Sequence, residues 1–265
     1  MIPSTASVLE GQPCYWLLFR EKKVLLQQQK EGLFSFPFGP FPPLPVTGMR
    51  HDAGTVDGHP CVACRAPDPP RDPRWAAVDL WEAFTFAPPQ FHEALGRGYQ
   101  MLHWEEHTRF CPRCGAACLL DSPLSKRCPD CGELLFPHIS LAVLALVYRE
   151  DSVLLVHAHN FTRPHHSCIA GYVEPGETLE QCVQREVLEE TNLQVDNVRY
   201  FASQPWPFPS LLMTAHSARY VSGDIILQQS ELSSGAFFTR DSLPALPPRF
   251  TLSRQLIDAW INKTL

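Results

Sequence analysis

The chain has 265 residues, enough for one large domain or two to three small ones. Its net charge of −6 argues against a protein wrapped on bulk nucleic acid, although it permits a local basic pocket. The first residues lack a basic stretch followed by an apolar core, and no apolar run is long enough to cross a bilayer, so we expect neither a signal peptide nor a membrane partner.

Residues 1–90 contain few side chains that indicate chemistry. Residues 15–19 and 24–28 are short strand-like runs on either side of a polar turn, which predicts a hairpin. Residues 61–65 predict another strand. The Cys-x2-Cys within that strand has no nearby partner pair, so an apolar strand explains it better than a metal site. We expect a small α/β domain over residues 1–90, in a role that the sequence does not indicate.

Apolar residues then recur at helical spacing. They predict a helix over residues 91–107, with its apolar face formed by Phe91, Leu95, Tyr99 and Leu102. His103 and His107 lie one turn apart on this helix and could bind a metal. Exposed or hydrogen-bonded histidines explain them better, because the four cysteines that follow already suffice for a metal site.

Two Cys-x2-Cys pairs follow, separated by thirteen residues, and each is followed directly by a glycine. This spacing is typical of a zinc ribbon. Four thiolates complete a tetrahedral site, so we expect a structural Zn²⁺ on Cys111, Cys114, Cys128 and Cys131. Two disulfides are the alternative, which the lack of an export signal disfavours. We expect a reducing cytoplasm, with the helix and ribbon forming a module over residues 91–136.

The remaining sequence mixes strands and helices, which predicts an α/β sandwich over residues 137–265. The strands are predicted at residues 141–148, 152–157, 166–170, 198–204, 212–221 and 236–239. A final helix is predicted over residues 251–263, with one apolar side formed by Leu252, Leu256, Ala259 and Trp260.

A cluster of acids lies in the middle of this region. Glu186, Glu189 and Glu190 are spaced so that they share one face of a helix. Such a cluster needs a cation, and carboxylate oxygens suit Mg²⁺ or Mn²⁺. On the opposite side, an apolar stripe of Leu179, Val183 and Val187 should face the core. A loop is predicted before the helix from Gly171, Pro175 and Gly176. A solvated acidic face is the alternative.

The stretch resembles the Nudix box, G-x5-E-x7-R-E-U-x-E-E-x-G-U with U apolar. The matching residues are Gly171, Glu177, Arg185, Glu186, Val187, Glu189, Glu190 and Leu193. Asn192 replaces the last glycine and can still form a left-handed helix cap. The resemblance implies a Nudix α/β/α sandwich that hydrolyses a nucleoside diphosphate linked to another group. Glu189 or Glu190 would position or deprotonate the attacking water, and Arg185 would orient a carboxylate or pair with Glu177.

A second motif, Ser-Gln-Pro-Trp-Pro-Phe-Pro, covers residues 203–209. Its alternating prolines restrict the backbone and would hold Trp206 and Phe208 outward, as faces on which a flat ring can stack. The alternative is a loop that packs its own aromatic side chains into the core.

This motif, behind a four-cysteine ribbon and after a Nudix box, resembles the bacterial NADH pyrophosphatase family. The family splits NAD(H) into nicotinamide mononucleotide and AMP and removes NAD caps from RNA 5′ ends. The resemblance also implies a homodimer, in which the aromatic loop of one subunit reaches the active site of the other. By position, the resemblance implies four substrate contacts, Phe136, Tyr172, Gln204 and Trp206. It also implies one further metal ligand, Glu231. Leu211 replaces the serine that closes the family motif.

Two other functions fit parts of the sequence. One is a Nudix hydrolase of another nucleotide, such as ADP-ribose or an oxidised nucleoside triphosphate. The other is a nucleotide- or RNA-binding module with an inactive box, which the intact set of acids argues against.

Overall fold

The structure, a computed structural model, describes residues 11–30, 33–67 and 72–265. The chain divides into two units, Met1–His138 with Pro207–Ser210, and Ile139–Trp206 with Leu211–Leu265. The ribbon therefore groups with the N-terminal residues, and the three-part division at residues 90 and 136 stays a prediction. No helix in the described ranges is long and apolar enough to span a membrane. Residues 1–10, on which the expected absence of a signal peptide rests, lie outside those ranges.

A seven-stranded sheet forms the centre of the first unit. Its strands are β1 (Cys14–Arg20), β2 (Lys23–Lys30), β3 (Leu33–Ser35), β4 (Phe38–Gly39), β5 (Thr47–Val56), β6 (His59–Arg65) and β7 (Trp75–Asp79). The order is β3-β2-β1-β6-β5, with β4 also on β1 and β7 on β2. The predicted hairpin is confirmed, since β1 and β2 pair antiparallel around a turn at Glu21. The strand predicted at residues 61–65 is confirmed within β6, which runs parallel to β1.

Two helices follow this sheet, α1 (Leu80–Phe86) and α2 (His92–His107). The predicted helix is confirmed in α2, which packs against β5, β6 and β1 through its buried apolar face. It begins one residue later than predicted, because Pro89–Phe91 forms a short 3-10 turn instead. His107 bonds through Nδ1 to the His103 carbonyl at 2.8 Å.

The cysteine region forms a small antiparallel sheet of β8 (Leu119–Ser122), β9 (Ser125–Arg127) and β10 (Leu134–Leu135). Lys126 of β9 is buried, and its ammonium donates to the carbonyls of Glu105 and Thr108 at 2.8 and 3.3 Å. These carbonyls end α2, where a helix lacks backbone donors and favours a cation. Lys126 therefore links the ribbon to the C-terminal end of α2 by hydrogen bonds.

The second unit contains a six-stranded sheet. Its strands are β11 (Ser140–Arg149), β12 (Ser152–Ala158), β13 (Ile169–Tyr172), β14 (Gln194–Trp206), β15 (Leu211–Ser222) and β16 (Leu232–Thr239). The order is β14-β15-β11-β12-β16, with β13 on β11, and β11 runs parallel to β15.

Helices α3 (Leu179–Thr191) and α4 (Leu252–Ile261) cover the two faces of this sheet. Successive side chains of a strand point to opposite faces. Val143 and Val147 of β11 pack in one cluster with Val183 of α3, whereas Leu146 of β11 packs with Leu256 of α4. The predicted α/β/α sandwich is therefore confirmed. The apolar stripe of α4 is buried, and that of α3 is buried at Val183 and Val187 and partly buried at Leu179.

Several predicted boundaries were wrong. β14 and β16 each begin four residues earlier than predicted, at Gln194 and Leu232, and β13 begins three residues later, at Ile169. Gly171 lies in a strand and not in a loop, because β13 pairs with β11 as far as Tyr172. β14 continues through Pro205 to Trp206, since an edge strand tolerates a proline. Only Pro207–Ser210 separates β14 from β15. Helix α4 ends at Ile261 because Lys263 has a positive φ of 58°.

Candidate active site and cysteine cluster

The acid-bearing helix α3 is closed at both ends by its own sequence. Thr178 and Gln181 form a reciprocal capping box at the N-terminus. Asn192 ends the helix in the left-handed conformation with φ of 60°, as predicted. The helix therefore begins and ends at residues that its own sequence fixes.

Gly171 lies against the first acid of the helix. A Cβ atom at this position would sit 1.8 Å from the Glu186 Cδ atom, far inside contact distance. The carboxylate of Glu186 therefore occupies the space that any other residue at position 171 would fill. The glycine is required by this close approach and not by its backbone angles.

Arg185 holds three of the glutamates. It forms a bidentate pair with Glu177, with Nη2 donating to Oε2 at 2.9 Å. Its Nη1 donates to Glu186 at 2.7 Å and to Glu189 at 3.0 Å. Hydrogen bonding from Arg185 lowers the pKa of Glu177 to about 2. The guanidinium thus keeps Glu177 ionised and fixes the directions of the other two carboxylates.

Glu190 is the most deeply buried of the four candidate acids, with 3% of its surface exposed. Its pKa is raised to about 8, first by burial and then by the charges of Glu186 and Glu231. Burial also raises the pKa of Glu186. Buried carboxylates whose pKa is raised by burial and by neighbouring carboxylates fit a divalent cation, which would offset both burial and repulsion. All the ligand atoms that these residues offer are carboxylate oxygens, which suit Mg²⁺ or Mn²⁺.

Glu231 reaches this group from a loop before β16. The loop is bound to the end of α3, since the Ile226 N–H donates to the Thr191 carbonyl and the Gln228 N–H donates to the Glu190 carbonyl at 2.9 Å. Glu231 is close enough for its charge to raise the pKa of Glu190. The fold thus brings Glu231 close to Glu186, Glu189 and Glu190, from which it is more than forty positions away in the sequence.

The four ribbon cysteines have their sulfur atoms within 4.8 Å of one another. The Sγ separations include 3.6 Å for Cys111–Cys131 and 3.4 Å for Cys114–Cys128. A tetrahedral zinc with bonds of about 2.3 Å separates its sulfur ligands by roughly 3.8 Å, so the geometry fits zinc. In the described part of the chain, no other group of three or more His, Cys, Asp or Glu residues is as close.

Cys61 and Cys64 lie in the apolar core of the first unit, as expected for a strand. Burial raises the pKa of each thiol to about 12. A metal needs the thiolate, which this environment disfavours.

The predicted substrate contacts differ in exposure. Phe136 in the first unit and Tyr172 in the second are exposed aromatics. Trp206 is half-buried and stacks on Phe250 with 6.3 Å between ring centroids. The Gln204 amide donates to the Phe250 carbonyl and accepts from the Leu252 N–H, both at 2.8 Å, so it also fixes the start of α4.

Phe208 does not point outward, contrary to the sequence prediction. Its ring packs against Trp81 and Phe84 within the first unit, with centroids 5.6 and 6.0 Å apart. Of the two alternatives for the aromatic loop, an outward stacking face or packing of its own aromatic side chains, Phe208 follows the second. Leu211, which replaces the family serine, is buried, and the neighbouring Ser210 hydroxyl donates to the His138 carbonyl at 2.8 Å.

The sequence did not predict a cavity that lies beside the acids. It has a volume of about 340 Å³ and is lined by Glu190, Glu231 and the loop after β12, including His159 and Phe161. That loop has no motif, and only the fold brings it to the acids.

Two family models match the chain. The Nudix domain matches residues 138–260, and an NADH pyrophosphatase-like rudimentary Nudix domain matches residues 13–104. A Pseudomonas aeruginosa protein described as NAD-capped RNA hydrolase NudC is 35% identical over 249 residues, which are 94% of this chain and 89% of that protein. This chain belongs to the NudC family of Nudix hydrolases. The resemblance predicted from the two motifs is confirmed.

Other relatives agree. A Photobacterium profundum protein of the same description is 44% identical over 167 residues, 63% of each chain. A crystal structure of a Nudix hydrolase from Nitrosomonas europaea covers 58% of this chain and 91% of its own, with a TM-score of 0.51 and 23% identity. This likeness shows the shared fold.

Proposed function

We propose that the chain is a metal-dependent pyrophosphohydrolase that splits NAD(H) into nicotinamide mononucleotide and AMP and removes NAD caps from RNA. The observation that carries the chemistry is the Glu186 carboxylate seated against Gly171, beside the buried Glu190. The substrate follows from the relatives described as NAD-capped RNA hydrolases, one of which aligns over 94% of this chain.

The reaction adds water across one phosphoanhydride bond. The water oxygen bonds to phosphorus, the bridging P–O bond breaks, and a nearby carboxylate accepts the water proton. Two or three Mg²⁺ or Mn²⁺ ions, when bound, would supply Lewis acidity and neutralise the pyrophosphate charge. Glu186, Glu189, Glu190 and Glu231 are the residues that would hold them.

The protein groups prepare this site before substrate binds. Arg185 fixes the carboxylates of Glu186 and Glu189, and Glu177 fixes Arg185 from the other side. Glu189 is half-exposed and can meet an incoming water, whereas Glu190 is buried. We therefore favour Glu189 as the group that positions or deprotonates the nucleophile, with Glu190 as a metal ligand.

The remaining parts of the proposal concern binding and assembly. Phe136, Tyr172, Gln204 and Trp206 would contact the substrate, and the ribbon cysteines would hold a structural Zn²⁺. We further propose a homodimer in a reducing cytoplasm, a compartment in which ten unpaired cysteines would persist.

Hydrolysis of a nucleotide panel tests the proposal. NADH, NAD⁺, ADP-ribose, a nucleoside triphosphate and NAD-capped RNA are incubated with Mn²⁺ or Mg²⁺, and the products are resolved by chromatography. We expect AMP and the matching mononucleotide from NADH and NAD⁺, and a 5′-monophosphate RNA from capped RNA. Turnover of ADP-ribose alone would assign the chain to another Nudix activity.

A further inference from the structure

Hydrogen bonds join the loops that line the cavity beside the candidate acids. The loop after β12 joins the Glu231 loop, since the His159 N–H donates to the Glu231 carbonyl at 2.9 Å. The His159 imidazole also bonds to the Gln229 carbonyl at 3.1 Å. Because the Gln228 N–H donates to the Glu190 carbonyl, both acids and the β12 loop belong to one hydrogen-bonded frame. A ligand that entered would meet a surface that is already ordered.

The lining of the cavity combines apolar and polar residues, as is typical of a ligand-binding site. The lining includes the apolar residues Val156, Ala158, Ala170 and Leu232 and the polar residues His159, Asn160 and Ser230. Apolar walls with a few polar groups, in a volume of about 340 Å³, suit a small organic molecule. The two acids place this apolar space next to the proposed phosphate chemistry.

Phe161 is held as a flat wall of the cavity. Its ring stacks on His165 with centroids 4.6 Å apart and planes 17° apart, and His157 meets it at 83°. The His157 Nδ1 atom bonds to the His165 carbonyl at 2.7 Å, and the Phe161 N–H closes a turn with the Ala158 carbonyl. The supporting histidines therefore fix the ring before any ligand arrives.

We propose that this cavity is a subsite for the flat ring of one mononucleotide half of the dinucleotide, with Phe161 as its stacking contact. The inference rests on the proposed function and adds a substrate contact to it. Both halves of NAD(H) offer the required chemistry, a flat heterocycle on a ribose 5′-phosphate. The phosphate of that half would lie toward Glu190 and Glu231, and its ring would enter the apolar space beyond them.

Binding and kinetics of one variant series test the subsite. Phe161→Ala removes the ring, Phe161→Tyr keeps it, and Tyr200→Ala removes an exposed aromatic of β14 that does not line the cavity. Calorimetry measures AMP and nicotinamide mononucleotide binding in Mg²⁺, and steady-state assays give KM and kcat for NADH. Melting temperatures are recorded for every variant.

We expect Phe161→Ala to weaken binding of one mononucleotide, and to raise the KM for NADH, by about ten- to a hundred-fold, as for loss of one stacking contact. The mononucleotide affected identifies the half that is bound. kcat should change much less, because the lost contact is made equally in ground and transition states. Phe161→Tyr should restore the wild-type values, and Tyr200→Ala should keep them.

Two other results separate the inference from the proposed function. Unchanged mononucleotide binding and KM in Phe161→Ala would overturn the subsite and leave NADH hydrolysis intact. A lowered melting temperature with unchanged KM would overturn it too, since the ring would then only support its loop. If the wild-type protein did not hydrolyse NADH but bound a mononucleotide through Phe161, the function would fail and the subsite would stand.

Discussion

Six strands of each unit share one sheet topology, and among the described strands only β3 of the first unit has no counterpart in the second. In the second, β11 is parallel to β15 and antiparallel to β13, while β14 and β16 extend the sheet on either side. In the first, β1 is parallel to β6 and antiparallel to β4, while β5 and β7 hold the corresponding places. After these strands, α2 and α4 pack on equivalent strands. The match of residues 13–104 to a rudimentary Nudix domain agrees with this correspondence.

The units differ where the acids are. Between β13 and β14 the second unit has α3, whereas between β4 and β5 the first has only residues 40–46, without a helix. Leu44 and Val46 of that segment pack on the core cluster of the first unit instead. The sheet therefore forms without the acid-bearing helix, so the fold and the chemistry are separable.

The largest expected effect comes from removing an acid of α3. Glu189→Gln and Glu190→Gln should each lower kcat by at least ~100-fold with little change in shape, because each removes a charge from the proposed metal site. Steady-state kinetics at saturating Mn²⁺ measure this.

Glu106→Gln is the matched control in the first unit. Glu106 also belongs to a pair of consecutive acids on a helix, but it forms an ion pair with Arg65 at 2.6 Å. We expect its kcat to stay within about twofold of wild type, as for most surface substitutions. Equal losses in both units would mean that the acids of α3 are not special.

The next effect concerns the glycines of β13 and β4, strands in corresponding places. Gly171→Ala should lower kcat by roughly 10- to 100-fold, because its Cβ must displace Glu186 and small misplacements of catalytic groups are costly. At Gly39 a Cβ meets only the Phe41 carbonyl at 4.0 Å, so Gly39→Ala should have near-wild-type kcat. An active Gly171→Ala protein would contradict the assigned role of Glu186.

The aromatic loop supplies a third test. Trp206→Ala should lower kcat/KM for NADH by about ten- to a hundred-fold, as for one lost stacking contact, with little change in melting temperature. Phe208→Ala should instead lower the melting temperature by several degrees, because it loses contact with Trp81 and Phe84. If Trp206→Ala mainly destabilised the protein, its stacking on Phe250 would be structural.

The smallest effect on chemistry should come from the ribbon. Cys111→Ser should lose the zinc, which elemental analysis should find at about one per wild-type chain, and should melt at a lower temperature. Its soluble fraction should keep most of its kcat for NADH. Cys118→Ser, outside the sulfur cluster, should retain the zinc. A stable Cys111→Ser protein with full zinc content would rule out the site.

Local patterns allowed the prediction of local features. The helix α3, its left-handed end at Asn192 and the buried Val183 and Val187 follow from spacing within one stretch. The same holds for α2 and for the cysteine cluster, whose ligands lie in one short region. These features depend on neighbours along the chain, so a single sequence contains their signal.

The missed features depend on neighbours in space. The burial of Glu190 and its raised pKa require the Glu231 loop to fold back on α3. The strand placement of Gly171 depends on pairing with β11. Phe208 pointed outward in the prediction because its partners, Trp81 and Phe84, lie far away in the sequence. The shared topology of the units was invisible for the same reason, since no motif repeats between them.

Metal-dependent cleavage of NADH at the acids of α3 can be measured by chromatography of NADH incubated with wild-type protein and with Glu190→Gln, each with and without Mn²⁺. We expect equal amounts of AMP and reduced nicotinamide mononucleotide from the wild type, only with the metal, and at least ~100-fold less from the variant. Metal-independent cleavage, equal turnover by Glu190→Gln, or products other than these two mononucleotides would contradict an NAD(H) pyrophosphohydrolase with its site on α3.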